Sequence, residues 1–266
     1  MIDHALSDCG TPTGGDGPPD VRQPKIRLYL DLPLAAGALL EPAPAQCHYL
    51  LNVLRRRQGD RLALFNGRDG EWRAVLAQVE RRRARLQIEE RLREQRAEPG
   101  PSLLFAPLKR TRLEFLIEKA TELGVARLEP VLTRHTVVDR VNLTRLLCIA
   151  TEAAEQCGRL TVPDLAPPAP LLERVATQPA DRPLYLADET GAGVPLLQAL
   201  ERGPGDLLIG PEGGFAADEL AALRGAPAVV AVSLGPRILR AETAALAALA
   251  CWQAALGSGL HDQEGA

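Results

Sequence analysis

Leu207-Leu208-Ile209-Gly210-Pro211-Glu212-Gly213-Gly214-Phe215 and Leu234-Gly235-Pro236-Arg237-Ile238-Leu239-Arg240-Ala241-Glu242-Thr243-Ala244 share one grammar. In each, a short apolar run ends in Gly-Pro, the chain turns, and a helical pattern follows. A strand feeding a Gly/Pro loop that opens a helix is how open α/β sheets present backbone N–H groups to a ligand at their carboxyl edge. Two such loops within residues 207–256 predict one shared pocket. Turn chemistry accounts for the glycines and prolines, but it needs none of Glu212, Arg240, Glu242 or Thr243. Those four residues raise the expectation of a functional site.

Around this stretch the pattern alternates strand and helix. Strands are expected at Ser102–Leu108, Arg127–Leu132, Pro183–Ala187, Asp206–Ile209 and Ala228–Leu234. Helices are expected over Leu113–Leu123, with Thr111 and Glu114 at capping-box spacing, and over Leu146–Gly158, Asp218–Leu223 and Ala241–Leu256. Strands alternating with helices predict a mainly parallel sheet covered on both faces. Pro163–Pro170 reads as a proline-rich connection.

The front of the chain reads differently. Residues 1–24 hold Gly, Pro, Asp and Thr and almost no large apolar residue, so they cannot bury enough surface to offset their ordering entropy and are expected to be a disordered tail. Alternating apolar residues start a strand at Lys25–Leu30. A helical pattern runs from Ala45 to Arg57, followed by strands at Arg61–Asn66, Glu71–Val79 and Ala84–Glu90. Asn66-Gly67 and Asp69-Gly70 supply hairpin turn chemistry between the first two of these. Residues 25–96 are thus expected to form a small β-rich domain, 97–101 (with Pro99-Gly100-Pro101) a linker, 102–258 the α/β domain, and 259–266 a second tail.

Charge is spread unevenly over these units. Residues 26–96 carry 14 Arg against 9 Asp plus Glu, whereas 102–258 carry 15 Lys plus Arg against 18 acids. A basic front suggests a polyanionic partner; a solvated Arg-rich face is the equal alternative. The five cysteines, an odd number without a Cys-x-x-Cys pair, point to free thiols in a reducing, cytoplasmic setting, with no disulfide framework and no metal site. No apolar run approaches the roughly 18–20 residues that span a bilayer, so no membrane role is expected. There is no Gly-x-x-x-x-Gly-Lys phosphate loop, no Gly-x-Gly-x-x-Gly after the first strand and no Gly-x-Ser-x-Gly elbow.

The two opening segments resemble the signature motifs of the bacterial 16S rRNA uracil-N3 methyltransferases, the RsmE family of the SPOUT superfamily. Glu118-Lys119-Ala120-Thr121-Glu122-Leu123-Gly124-Val125 and Glu152-Ala153-Ala154-Glu155-Gln156-Cys157-Gly158-Arg159 agree with that resemblance. The front domain resembles the family's PUA-like RNA-binding module through His48-Tyr49-Leu50 and Leu64-Phe65-Asn66-Gly67. The match covers about residues 26–257. It departs at Ala216, where the family usually has Ser or Thr, so the capping box with Glu219 is expected to be lost, and over Val141–Leu147, which lacks an expected Trp.

The resemblance implies a SPOUT-type trefoil-knotted α/β fold with a mainly parallel sheet, preceded by a small PUA-like β-barrel. It implies S-adenosyl-L-methionine as cofactor, 16S rRNA in the small ribosomal subunit as partner, and a homodimer. Carried over residue by residue, it implies a cofactor pocket of Leu186, Ile209, Gly210, Pro211, Glu212, Gly213, Gly214, Leu234, Gly235, Ile238, Leu239, Arg240 and Thr243. Arg240 and Glu242 are the expected catalytic residues. A guanidinium beside a uracil carbonyl would stabilise the charge that develops as N3–H is lost. For RNA contact the candidates are Arg27, His48, Arg55, Arg57, Arg112 and Arg159.

Overall fold

A computed structural model describes residues 24–256 except Asp139 and Ala192. The expected tail at 259–266, and all of the expected tail at 1–24 but its last residue, lie outside the described residues. The first unit comprises β1 (Arg27–Tyr29), β2 (Leu39–Leu40), α1 (Pro44–His48), β3 (Arg61–Phe65), β4 (Glu71–Glu80) and β5 (Arg83–Arg93). The second begins with β6 (Ser102–Phe105), α2 (Arg110–Glu122), β7 (Arg127–Leu132), α3 (Leu143–Cys157), β8 (Asp164–Leu165), β9 (Ala169–Pro170) and α4 (Leu171–Ala176). It continues through β10 (Leu184–Ala187), β11 (Val194–Pro195), α5 (Leu196–Leu200), β12 (Asp206–Ile209), α6 (Ala217–Gly225), β13 (Val229–Ser233) and α7 (Ala241–Leu256).

In the first unit the strands pair in the order β1-β3-β4-β5-β2, antiparallel except for the parallel β1–β3 ladder. Their alternate residues Leu62, Leu64, Ala74, Leu76, Leu86 and Ile88 turn to one side and bury themselves against Cys47 and Leu50. The helix expected through Arg57 does not run that far. After α1 the chain widens into a π turn at Tyr49–Val53 and closes at Arg55, whose φ is +52°. The amide of Arg56 reaches back to the Leu50 carbonyl (2.9 Å), a left-handed stop. Arg55, Arg56 and Arg57 are therefore an exposed turn rather than a helical face.

The second unit is a parallel sheet in the order β11-β13-β10-β12-β6-β7-β8, with β9 also on β7. Side chains alternate across it. Leu103, Phe105, Tyr185, Leu207 and Ile209 face α2, α3, α5 and α7, while Leu104, Leu184, Leu186 and Leu208 face α4 and α6. Full burial of each such leucine stabilises the fold by roughly 1.5–3 kcal/mol. The connection from β12 to β13 passes over β10, and α7 then returns to pack on α2, α5 and β12. That crossing gathers the loops after β10, β12 and β13 at one edge.

Three helix starts differ from the sequence reading. Lys109 is the cap of α2, so Thr111 sits inside the first turn, and Glu114 pairs with Arg110 and Arg145 instead of closing a capping box. α3 starts before Leu146 because the Asn142 side chain accepts the Arg145 amide (3.0 Å); it ends at Gly158, with φ +87°. At α6, Ala216 offers no side-chain acceptor, yet half of the box survives. Glu219 accepts the Ala216 amide (3.0 Å) and the Arg134 amide (2.8 Å).

The two units are joined by more than a linker. Arg27 donates to the carbonyls of Ala154 (2.7 Å), Glu155 (2.9 Å) and Arg159 (2.5 Å), at the end of α3 where carbonyls lack helical partners. Arg93 donates to the Gly158 carbonyl (2.9 Å), and Glu71 neutralises both arginines. Arg159 points the other way: it is buried and donates to the carbonyls of Thr121 (2.9 Å), in the last turn of α2, and Val125 (2.8 Å), just beyond it. Arg27 and Arg159, expected on the RNA face, thus serve internal helix ends. The segment expected as linker is packed as well. Glu98 accepts the Leu160 and Thr161 amides, and a Cβ on Gly100 would overlap the Gly124 carbonyl oxygen.

Glu155 at this junction accepts the Tyr29 amide (2.9 Å), and burial, helped by Glu152, pushes its carboxyl up to about 7 against the opposing pull of that amide and of Arg27. A raised acid binds its proton more tightly in the folded than in the unfolded chain, so stability is lost as pH rises from about 4.5 towards 7. Glu155→Gln keeps the acceptor for Tyr29 and removes the charge. Its melting temperature should match the wild type near pH 4 and exceed it by about 2–4 °C at pH 8, the response of a chain this size to roughly 1 kcal/mol. A pH-independent difference in thermal melts would refute this reading.

Candidate active site

The loops after β10, β12 and β13 enclose a cleft of about 270 Å³ at the carboxyl edge of the sheet. That is near the lower end of small-ligand pockets, about 300 Å³ upward. The first wall is residues 187–191. Asp188 is buried and accepts from Thr190 and Arg224; burial works against its charge, but these donors outweigh it and hold its carboxyl below the usual range. The second wall is Ile209–Glu212 with Gly214 and Phe215, and the third is Ser233–Leu239, closed below by Ala241 and Ala244 of α7.

Glycine is needed at two of these positions. A Cβ on Gly210 would lie 2.7 Å from the Phe215 ring, and one on Gly214, where φ is +69°, would overlap the Glu189 carboxylate. The second loop is also held from outside. His135 Nδ1 lies 3.2 Å from the Gly213 carbonyl and 3.0 Å from that of Gly214; both are acceptors, so this nitrogen carries the proton. Next to it Arg134 forms a two-pronged pair with Asp218 (2.9 and 2.6 Å).

Of the residues expected in the pocket, Ile209, Gly210, Pro211, Glu212, Gly214, Leu234, Gly235, Ile238 and Leu239 line the cleft. Leu186 does not: the period-2 alternation of β10 turns it into the core under α4 and α6, and its neighbour Ala187 takes the wall. Gly213 faces His135 instead, and Arg240 and Thr243 are exposed beside the cleft. The sequence reading missed residues 188–191, although the rule that ligands meet the ends of parallel strands pointed at the loop after β10. Nothing in the sequence pattern marks His135.

Arg240 precedes α7, and its carbonyl accepts the Ala244 amide (2.8 Å). Among the described residues its side chain has no hydrogen bond or ion pair. Glu242 is buried in the first turn of α7, where the helix dipole favours an anion. One of its oxygens lies 3.6 Å from Arg112 Nε, and the other, Oε2, is buried without a hydrogen-bond partner among the described residues. Arg112 also pairs with Glu212 of the cleft loop. Arg112, expected on RNA phosphate, is therefore engaged by two carboxylates. His48, Arg55 and Arg57 are exposed on the first unit beside half-exposed Tyr49. Among the described residues no cluster of His, Cys, Asp and Glu is placed to hold a metal ion, and no helix is long and apolar enough to cross a membrane.

Comparison with known proteins gives the family. Residues 98–253 match the model of an RNA methyltransferase domain, and residues 44–89 that of an RNA methyltransferase PUA domain. Ribosomal RNA small subunit methyltransferase E of Rickettsia conorii is 33% identical over 228 residues, covering 84% of this chain and 93% of that protein. The crystal structure of ribosomal RNA small subunit methyltransferase E from Neisseria gonorrhoeae, bound to S-adenosyl methionine, superposes with a TM-score of 0.78 at 30% identity. It covers 86% of this chain and 97% of its own. A Legionella pneumophila methyltransferase in complex with the same cofactor gives 0.77 at 34% identity, covering 88% and 98%. With its PUA-like first unit and SPOUT-type α/β second unit, the chain belongs to the ribosomal RNA small subunit methyltransferase E family.

Proposed function

We propose that this protein uses S-adenosylmethionine to methylate N3 of a uridine in the decoding region of 16S rRNA, acting as a cytoplasmic homodimer. One observation carries the reading: a glycine-walled cleft lined by Leu239 and Ala241, between which stands Arg240, an exposed guanidinium unpaired among the described residues, with the buried Glu242 next along α7. The cleft fits the cofactor. Gly210 and Gly214 let backbone approach it closely, Leu234, Ile238 and Leu239 offer apolar surface to an adenine, and Glu189 offers acceptors to ribose hydroxyls.

When bound, the cofactor supplies a methyl group on a sulfonium, which needs an in-line nucleophile. Uracil N3 is a poor nucleophile while protonated, and its edge is stacked or paired in folded RNA, so the base must be drawn out. Glu242 Oε2 accepts the N3 proton, and Arg240 donates to the adjacent carbonyl oxygen, where negative charge builds. The N3 lone pair so freed would take the methyl carbon as that carbon's bond to sulfur breaks, leaving S-adenosylhomocysteine, and the proton stays on Glu242 until solvent removes it. His48, Arg55 and Arg57 hold RNA phosphates, with Tyr49 available for base stacking. Ile238, 88% exposed at the cleft rim, is the apolar contact offered to the second protomer.

The test is transfer from labelled S-adenosylmethionine to undermethylated small subunits, followed by nucleoside analysis. 3-Methyluridine is the expected product. A ribose 2′-O-methyl product would refute the base assignment, and RNA and cofactor binding without transfer would leave an assembly factor. Gly214→Ala should weaken cofactor binding about tenfold in calorimetry, since its methyl displaces Glu189 from the cleft wall, while the left-handed alanine costs roughly 1–2 kcal/mol of folding stability. Unchanged affinity would remove Gly214 from the site.

A further inference from the structure

We infer that Arg112 is a positioning residue for methyl transfer: it ties Glu212 of the cleft loop to Glu242 of α7 and so aims the free oxygen of Glu242 at the substrate. This deepens the proposed function and rests on it.

Three observations point the same way. Arg112 stands in the first turn of α2, a helix packed on α7, and among the described residues no backbone carbonyl holds its guanidinium. It contacts both signature segments at once, with Nη1 on Glu212 and Nε 3.6 Å from Glu242 Oε1. Glu242 Oε2, on the same carboxylate, is buried with no partner among the described residues, and Glu242 directly follows Ala241 of the cleft floor. A buried acceptor left open is costly unless a donor arrives, and the bound uracil would bring one in its N3–H.

The ion pairs are poorly suited to a purely stabilising role. Arg112 and Glu212 side chains are 35% and 44% exposed, and exposed pairs contribute little to folding. What the guanidinium supplies is geometry, because its planar fork can serve two carboxylates at fixed separation, which a lysine ammonium cannot do. With Oε1 directed towards Arg112, the carboxylate rotor is set and Oε2 is left for the substrate. Without it, Glu242 is free to turn, and misplacement of a catalytic group by about 1 Å costs on the order of a hundredfold in rate.

The experiment is a double-mutant cycle on the single-turnover rate of 3-methyluridine formation, with cofactor affinity measured in parallel. Arg112→Ala and Arg112→Gln should each lower the rate about 10- to 100-fold while changing cofactor affinity only a few-fold. Arg112→Lys should recover part of the loss. In a Glu242→Gln background, Arg112→Ala should cost less than about twofold more, because the two residues act as one unit. Equal losses from Arg112→Ala in both backgrounds would overturn the inference, as would a loss confined to cofactor affinity. If the wild type makes no 3-methyluridine, the parent reading falls and the inference with it. Wild-type product with additive variants sinks the inference alone.

Discussion

Arg240→Ala is expected to lower the single-turnover rate of methyl transfer about 10²–10³-fold, the usual loss when one donor to a developing anion is removed. The magnitude follows from what Arg240 does not do. Its side chain carries no ion pair or hydrogen bond among the described residues, and the α7 contact at this position is made by its carbonyl, which alanine keeps. Folding stability should therefore move by no more than about 0.5 kcal/mol. Because the side chain stands beside the cleft and not in its wall, cofactor affinity should also hold. Arg240→Lys retains the charge but loses the fork, so an intermediate rate is expected. A rate within a few-fold of wild type, on protein of unchanged melting temperature, would take Arg240 out of the chemistry.

Contrast Arg240 with Arg27 and Arg159, and the reach of the sequence becomes clear. All three are arginines that a family resemblance or a charge tally marks as functional. What separates them is a tertiary fact. Arg27 and Arg159 meet carbonyls at the ends of α3 and α2, and no spacing along the chain announces that meeting. The strand at Asp206–Ile209 and the helix at Ala241–Leu256 were legible to the residue, because Leu207-Leu208-Ile209 runs straight into one Gly-Pro loop and the long helix follows the other. The β12 run is buried on both faces of the sheet, which is why it reads as continuous rather than alternating. α4 and α5 were not legible. Each is a helix of one or two turns opened by proline, and their leucines count for the core only once the sheet is in place. At the site, the glycines were legible because close backbone approach leaves few alternatives. His135 and the residues 188–191 were not, since their role depends on which loops the crossing over β10 brings together.

The same junction carries the largest stability prediction. Glu71→Ala should destabilise the protein by about 3–5 kcal/mol, the range for breaking a buried ion pair from one side. The Glu71 side chain is 7% exposed, and its two oxygens face Arg27 Nε (2.5 Å) and Arg93 Nε (2.7 Å). Burial raises its carboxyl, but Arg93 and Arg27 together more than compensate and hold it below the usual glutamate range. Removing it strands two guanidinium groups whose remaining contacts are the carbonyls of Ala154, Glu155, Gly158 and Arg159 and, for Arg27, the Phe65 ring at 4.3 Å. Glu71→Gln, similar in shape but neutral, should recover only part of the loss. A lowered acid contributes stability above its unfolded value and loses it as pH falls through the folded one. The cost of Glu71→Ala should therefore be full at pH 7 and shrink below about pH 4, where the wild-type carboxylate is itself being protonated. Denaturant melts of both proteins across that range would decide it. A pH-independent cost would mean that Glu71 acts through packing, and the two units would then be held together by shape rather than by this charge.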